Sequence, residues 1–257
     1  MNEYVKNLNR MEFVVTYACT GRCKHCSEGS HSSSGICLDG KTAARAVCEL
    51  AGQFPVTSVM TFGGEPLLCP ETVYDIHKAA MEMGIPKRQL ITNGFFSRDS
   101  TAIKNTTWKL AQAGVNDILL SVDAFHQETI PLEPVKAFAQ AVSVYDIRVR
   151  VHPAWVGSRR EVNPYNIRTA KILVEFERMG FLQSEGNIVV PKGNALKYLG
   201  DYYDANQAYA DPYEEDPRDI RTVCIDPDGS VLGGSINRES ILEILKRYVP
   251  GDMTDTI

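Results

Sequence analysis

The chain has 257 residues, 44% of them apolar and 23% charged, with a formal net charge of −5. This composition excludes a disordered chain and fits one domain of about 200–250 residues around a full core. The acidic balance gives no diffuse positive field for nucleic acid, no apolar run approaches the roughly 20 residues of a membrane span, and the opening lacks a signal peptide's apolar centre, so a soluble cytoplasmic protein is expected.

Short β-branched runs alternate with amphipathic stretches, the rhythm of repeated βα units. Met11 to Thr16 reads as the first strand, followed by a Ser- and Gly-rich loop over 17–40 and a helix from Lys41 to Gln53. Ser58 to Thr61 then feeds the turn FGGEP and a helix over Glu71 to Met83. Three further pairs follow: Gln89 to Thr92 with Thr101 to Ala113, Asp117 to Ser121 with Glu133 to Val144, and Arg148 to Pro153 with Asn166 to Met179. A sixth strand is expected at Asn187 to Val190. Right-handed crossovers make this a parallel, partly closed barrel with helices outside, an open doubly wound sheet being the alternative. The core is placed at 1–195 and an extension at 196–257. In the extension, residues 198–219 are rich in Tyr and acids, Thr222 to Leu232 reads as a hairpin turning at Asp228-Gly229, and Ser240 to Tyr248 as a short helix.

Seven cysteines with no sign of export predict reduced thiols. Cys19, Cys23 and Cys26 crowd into TYACTGRCKHCSEG, in the loop after the first strand, where parallel α/β folds place their sites. Three thiolates at this spacing can hold three corners of an iron–sulfur cube and leave the fourth iron open. The same thiols with His25 or His31 could bind zinc, and Cys23 and Cys26 also form a thioredoxin-like CxxC. One strand on, Gly63 and Gly64 allow close backbone approach to a ligand, and Glu65 offers a carboxylate; an ordinary βα turn explains these residues too.

The cysteine triplet, FGGEP at 62–66, ITNG at 91–94 and LSVD at 120–123 together resemble the radical S-adenosylmethionine superfamily. The resemblance implies a partial (β/α)6 TIM-like barrel, a [4Fe-4S] cluster on Cys19, Cys23 and Cys26, and S-adenosylmethionine at the open iron. Reductive cleavage would then yield a 5′-deoxyadenosyl radical that abstracts hydrogen from a peptide or small-molecule substrate, with flavodoxin or ferredoxin as electron donor. It places His25 and Val190 near the adenine and Gly64 and Glu65 at the methionine amino group. Thr92, Asn93, Ser121 and Asp123 are assigned to the carboxylate and ribose hydroxyls, and Arg150 to the carboxylate. A narrower resemblance, to small radical enzymes encoded as pairs on mobile elements, implies a second radical protein as partner.

The tail from Cys224 resembles the start of the extension that carries auxiliary clusters in peptide-modifying relatives. Gly233 or Gly234 stands where a second cysteine would be, so no auxiliary cluster is expected. Cys224 is a candidate hydrogen-atom donor, or a small buried hydrophobe. The rival from another class is a non-catalytic zinc or iron–sulfur module with a partner-binding tail.

Overall fold

The computed structural model describes residues 2–32, 35–204, 209 and 214–251. The serine run at 32–34 and the stretch 198–219 lie partly outside them.

β1 (Arg10–Thr16) sends Met11, Phe13 and Val15 to one face, all fully buried, and Glu12 and Val14 to the other. α1 (Gly40–Ala51) starts where the Asp39 side chain accepts the Thr42 amide. β2 (Ser58–Gly63), α2 (Pro70–Glu82), β3 (Lys87–Thr92), α3 (Ser100–Gln112), β4 (Asp117–Ser121), α4 (Leu132–Val142) and β5 (Arg148–His152) continue the alternation, each strand parallel to the one before. Leu90, Ile118, Leu120 and Val151 face the helices and pack with Val73, Leu110 and Phe138. Each such burial contributes about 1.5–3 kcal/mol. The opposite face of the sheet is more polar and carries Gln89, Asp117 and Arg150.

Pro153 has no N–H for the ladder, and the chain resumes as β6 (Ala154–Trp155). After α5 (Pro164–Arg178), β7 (Leu182–Gln183) pairs with β5, and β8 (Asn187–Ile188) pairs with β6. The sixth strand expected at 187–190 is thus corrected: its place in the sheet is taken by 182–183. Gly186, at φ +79, makes the second pairing possible, since a Cβ there would lie 2.1 Å from the Pro153 carbonyl oxygen.

α6 (Gly193–Tyr198) leads towards β9 (Thr222–Ile225), which lies parallel to β1. The order is β7-β5-β4-β3-β2-β1-β9 and the sheet is not closed, an α/β fold of the partial-barrel kind. The chain does turn at Asp228-Gly229, where the Asp226 amide donates to the Ser230 carbonyl at 3.0 Å. The antiparallel pair, however, is β10 (Ser230–Val231) with β11 (Gly234–Ser235), because β1 has already taken β9. α7 (Ile241–Arg247) closes the fold, capped by Ser240.

The expectation of reduced thiols fails at one pair, since Cys37 and Cys69 form a disulfide. A bridge between Thr16 and Cys37 lays the loop against β1, and the two Cα atoms end 6.0 Å apart, within disulfide range. No helix among the described residues is long and apolar enough to cross a membrane.

Candidate active site

Beyond β1 the chain crosses the C-terminal ends of the strands, and Cys19, Cys23 and Cys26 all line one cavity of about 480 Å³ there. All three are free thiols, the first two buried and the third half-buried. The Cys19 amide donates to the Ser32 carbonyl at 2.9 Å, and the Gly21 amide to the Cys19 sulfur at 3.3 Å. Burial raises every one of these thiols, Cys19 to about 11, and neighbouring acids and cysteines add to it at Cys19 and Cys23. Left alone they stay protonated at neutral pH, so a metal must displace three protons and supply the compensating charge. This donor set fits an iron–sulfur cluster. A Cys23 sulfur and ring nitrogens of His25 and His126 also lie within 4.8 Å of one another, a set that zinc could use.

FGGEP is fastened to this loop through its backbone. The Gly64 and Glu65 amides donate to the Thr16 and Ala18 carbonyls, each at 2.8 Å. Gly63 sits at φ +139, and a Cβ on Gly64 would lie 2.2 Å from the Ala18 oxygen, so neither position admits a side chain without displacement.

Glu65 itself is fully buried and outside the cavity lining. Its carboxylate accepts the Leu67 amide at 2.9 Å, the Thr92 hydroxyl at 2.7 Å and the Asn93 amide at 2.8 Å, while burial pushes it up to about 7. It therefore aims Thr92 and Asn93, which do line the cavity; Asn93 Nδ2 lies 3.6 Å from the Cys19 sulfur.

Asp123, unlike Glu65, lines the cavity, but its oxygens too are committed internally. Its oxygens accept the Phe125 and His126 amides, both at 2.9 Å, the Ala154 amide at 3.0 Å and His126 Nδ1 at 2.8 Å. Burial opposes ionisation here, but the His126 ring and these hydrogen bonds outweigh it and hold the carboxyl below the usual range. His126 is thus the side chain that Asp123 orients at the cavity wall, its ring 4.9 Å from that of His25. His25 also packs 4.8 Å from Phe125, and its buried Nδ1 has no partner among the described residues. That orphaned nitrogen is consistent with a site shaped for a polar ligand.

Ser121 and Val190 line the cavity; Arg150 does not. Arg150 pairs with Asp117 at 2.6 Å, and Asp117 also accepts Gln89 Nε2 at 2.6 Å, a network outside the cavity lining. Strand register, which the motif alone does not reveal, sends this arginine to a carboxylate of the protein. Cys224 on β9 is exposed and lines the cavity, so it is not the small buried hydrophobe offered as the alternative; partial desolvation, with Glu12 and Asp226 nearby, pushes its thiol up to about 12. Tyr17 donates to Asp226 at 2.7 Å beside it.

Two further contacts hold the cysteine loop, the first at His31, which the sequence offered as a fourth zinc ligand, and the second at Asn194, which sequence reasoning missed. His31 places Nε2 2.9 Å from the Cys26 sulfur and Nδ1 2.7 Å from the Tyr17 carbonyl. Asn194 of α6 reaches the carbonyls of Cys23, Cys26 and Gly29. The one sequence signal for the second is a Gly-Asn pair just after the strand-end run.

Among solved structures the chain is similar to anSMEcpe with bound AdoMet, at TM-score 0.57 and 15% identity over 93% of this chain and 80% of that one. It is similar also to Streptococcus suis SuiB bound to S-adenosylmethionine, at 0.56 and 12% over 98% and 68%. BtrN in complex with AdoMet and 2-DOIA gives 0.50 and 16% over 94% and 83%. At these identities the likeness is one of fold. No curated protein matches the chain in sequence. The profile of the Radical SAM superfamily matches residues 13–152, over half of the chain. With the cysteine loop inside that span, the chain belongs to the radical S-adenosylmethionine superfamily, enzymes that bind a [4Fe-4S] cluster and S-adenosylmethionine.

Proposed function

We propose that this enzyme cleaves S-adenosylmethionine reductively at a [4Fe-4S] cluster held by Cys19, Cys23 and Cys26, and that hydrogen is then taken from a peptide or small-molecule substrate. When bound, the cluster supplies the electron that splits the sulfonium into methionine and a 5′-deoxyadenosyl radical. The observation that carries this reading is the sharing of one cavity by three loop thiols and the tips of β1 to β4.

The protein's part is to position and to exclude water. Gly63 and Gly64 bring bare backbone to the methionine amino group. Thr92, Asn93 and Ser121 meet the carboxylate and ribose hydroxyls, while His25 and Val190 flank the adenine. Glu65 and Asp123 act through the neighbours they hold, and Arg150 serves the wall below. Cys224 is the candidate hydrogen donor: its S–H bond breaks, a C–H bond forms on the substrate radical, and the resulting thiyl regains one electron and one proton from a donor of the flavodoxin or ferredoxin class. A second radical protein remains part of this reading as a partner, and the cytoplasm as its location. Relatives of the same fold were solved with a Kp18Cys peptide, with the precursor peptide SuiA and with 2-DOIA, which supports both substrate classes.

Anaerobic reconstitution tests the proposal. It requires about four irons per chain, and 5′-deoxyadenosine on addition of S-adenosylmethionine and a reductant. One equivalent of zinc with no nucleoside product would instead support a non-catalytic module.

A further inference from the structure

We propose that Asn194 is a positioning residue that holds the cysteine loop in its metal-binding shape. Its backbone amide donates to the Cys26 carbonyl at 2.9 Å. Its side-chain Nδ2 donates to the Cys23 carbonyl at 3.1 Å and to the Gly29 carbonyl at 3.0 Å. One buried residue thus binds three carbonyls of a loop more than 160 positions away, two of them belonging to the cysteines themselves. The preceding residue makes the approach possible. Gly193 is at φ +53, and a Cβ there would lie 2.2 Å from the Ser27 carbonyl oxygen and 2.7 Å from that of Cys26.

The loop needs such an outside support because it has little regular structure of its own. Fixing the Cys23 and Cys26 carbonyls fixes the peptide planes from which their side chains leave, so both sulfurs keep their direction before metal arrives. A loop ordered in advance loses less conformational entropy on binding, and the benefit appears as slower metal loss. Outer contacts of this kind typically change metal affinity by about 10–100-fold.

The consequence for the metal rests on the cluster reading above; the contact with the loop does not, and the experiment separates them. Asn194→Ala and Asn194→Asp are compared in the full chain. The second keeps size and shape but replaces the Nδ2 donor by an oxygen facing two carbonyls. Two quantities are read: amide hydrogen exchange over residues 19–29 in the iron-free chain, and iron release to a ferrous chelator after anaerobic reconstitution. Both variants should exchange faster in the loop with the strands unchanged, and should release iron at least about tenfold faster. Loop exchange and iron release at the wild-type rates in the Asp variant would overturn the proposal, because packing alone would then explain the residue. If either variant fails to accumulate, Gly193→Ala carries the same two readings. A wild-type chain that takes up no iron contradicts the proposed function, and exchange alone then decides the role of Asn194.

Discussion

β1 to β4 reach the cavity as strands of five to seven residues whose βα turns are fixed by backbone contact and buried carboxylates, whereas the opposite wall is β5 followed by two-residue pieces around Pro153 and Gly186. On the first wall, Glu65 and Asp123 are fully buried and each is committed to several hydrogen bonds from its neighbours. On the second, Leu182 is 65% exposed and Ile188 is 48% exposed. Short pairings with exposed apolar groups open at lower free energy than a packed strand. In the function proposed above most of the cofactor contacts fall on the rigid wall, with Val190, beyond β8, the exception.

Removing the thiols tests the rigid side most severely. Cys19→Ala, Cys23→Ala and Cys26→Ala should each reduce iron to background and abolish 5′-deoxyadenosine formation equally. A thiol oxidoreductase would instead tolerate loss of Cys19. Next comes a matched pair of glycines. Gly64→Ala should lower unfolding free energy by about 2–4 kcal/mol and lose iron, since the methyl collides with Ala18. Gly186→Ala should cost about 1–3 kcal/mol in the second wall yet retain iron. If both lose iron alike, the division between the walls fails.

A smaller effect is expected from pH behind the rigid wall. His77 on α2 is fully buried against Thr61 Oγ1 at 2.9 Å, and burial lowers it from 6.5 to about 3. Between those values the unfolded chain binds more protons than the folded one, so stability present above pH 6.5 is lost as pH falls towards 3. The slope from this group is at most about 1.4 kcal/mol per pH unit, and denaturant midpoints of His77→Gln should show it flattened. The smallest change concerns Cys224. Although Cys224 is exposed, a thiol pushed up to about 12 holds less thiolate than an ordinary one, so iodoacetamide at pH 8 should label it more slowly than the exposed Cys48. Labelling as fast as that of Cys48 would contradict the raised thiol.

The same two walls explain what the sequence disclosed. The first four βα units were legible because short β-branched runs, amphipathic stretches and glycine turns act locally, and the cysteine spacing marked the candidate metal loop. The sixth strand was not, because pieces such as Leu182–Gln183 are too short to carry a period and Pro153 divides the run. The family resemblance placed Glu65, Asp123 and Arg150 at the cofactor. Whether their charged groups face a ligand or a neighbour depends on register and on residues distant in sequence, such as Ala154 for Asp123 and Asp117 for Arg150. The Cys37–Cys69 disulfide and the Asn194 contact are tertiary in the same sense, and beyond the Gly-Asn pair at 193–194 no local pattern announces them.

The central claim is that three thiolates hold an iron cube with one corner open to the nucleotide. Electron paramagnetic resonance of the reduced, reconstituted chain tests this directly. A reduced cluster should give a signal whose shape changes when S-adenosylmethionine is added. A chain without that signal, or with one indifferent to the nucleotide, would contradict it.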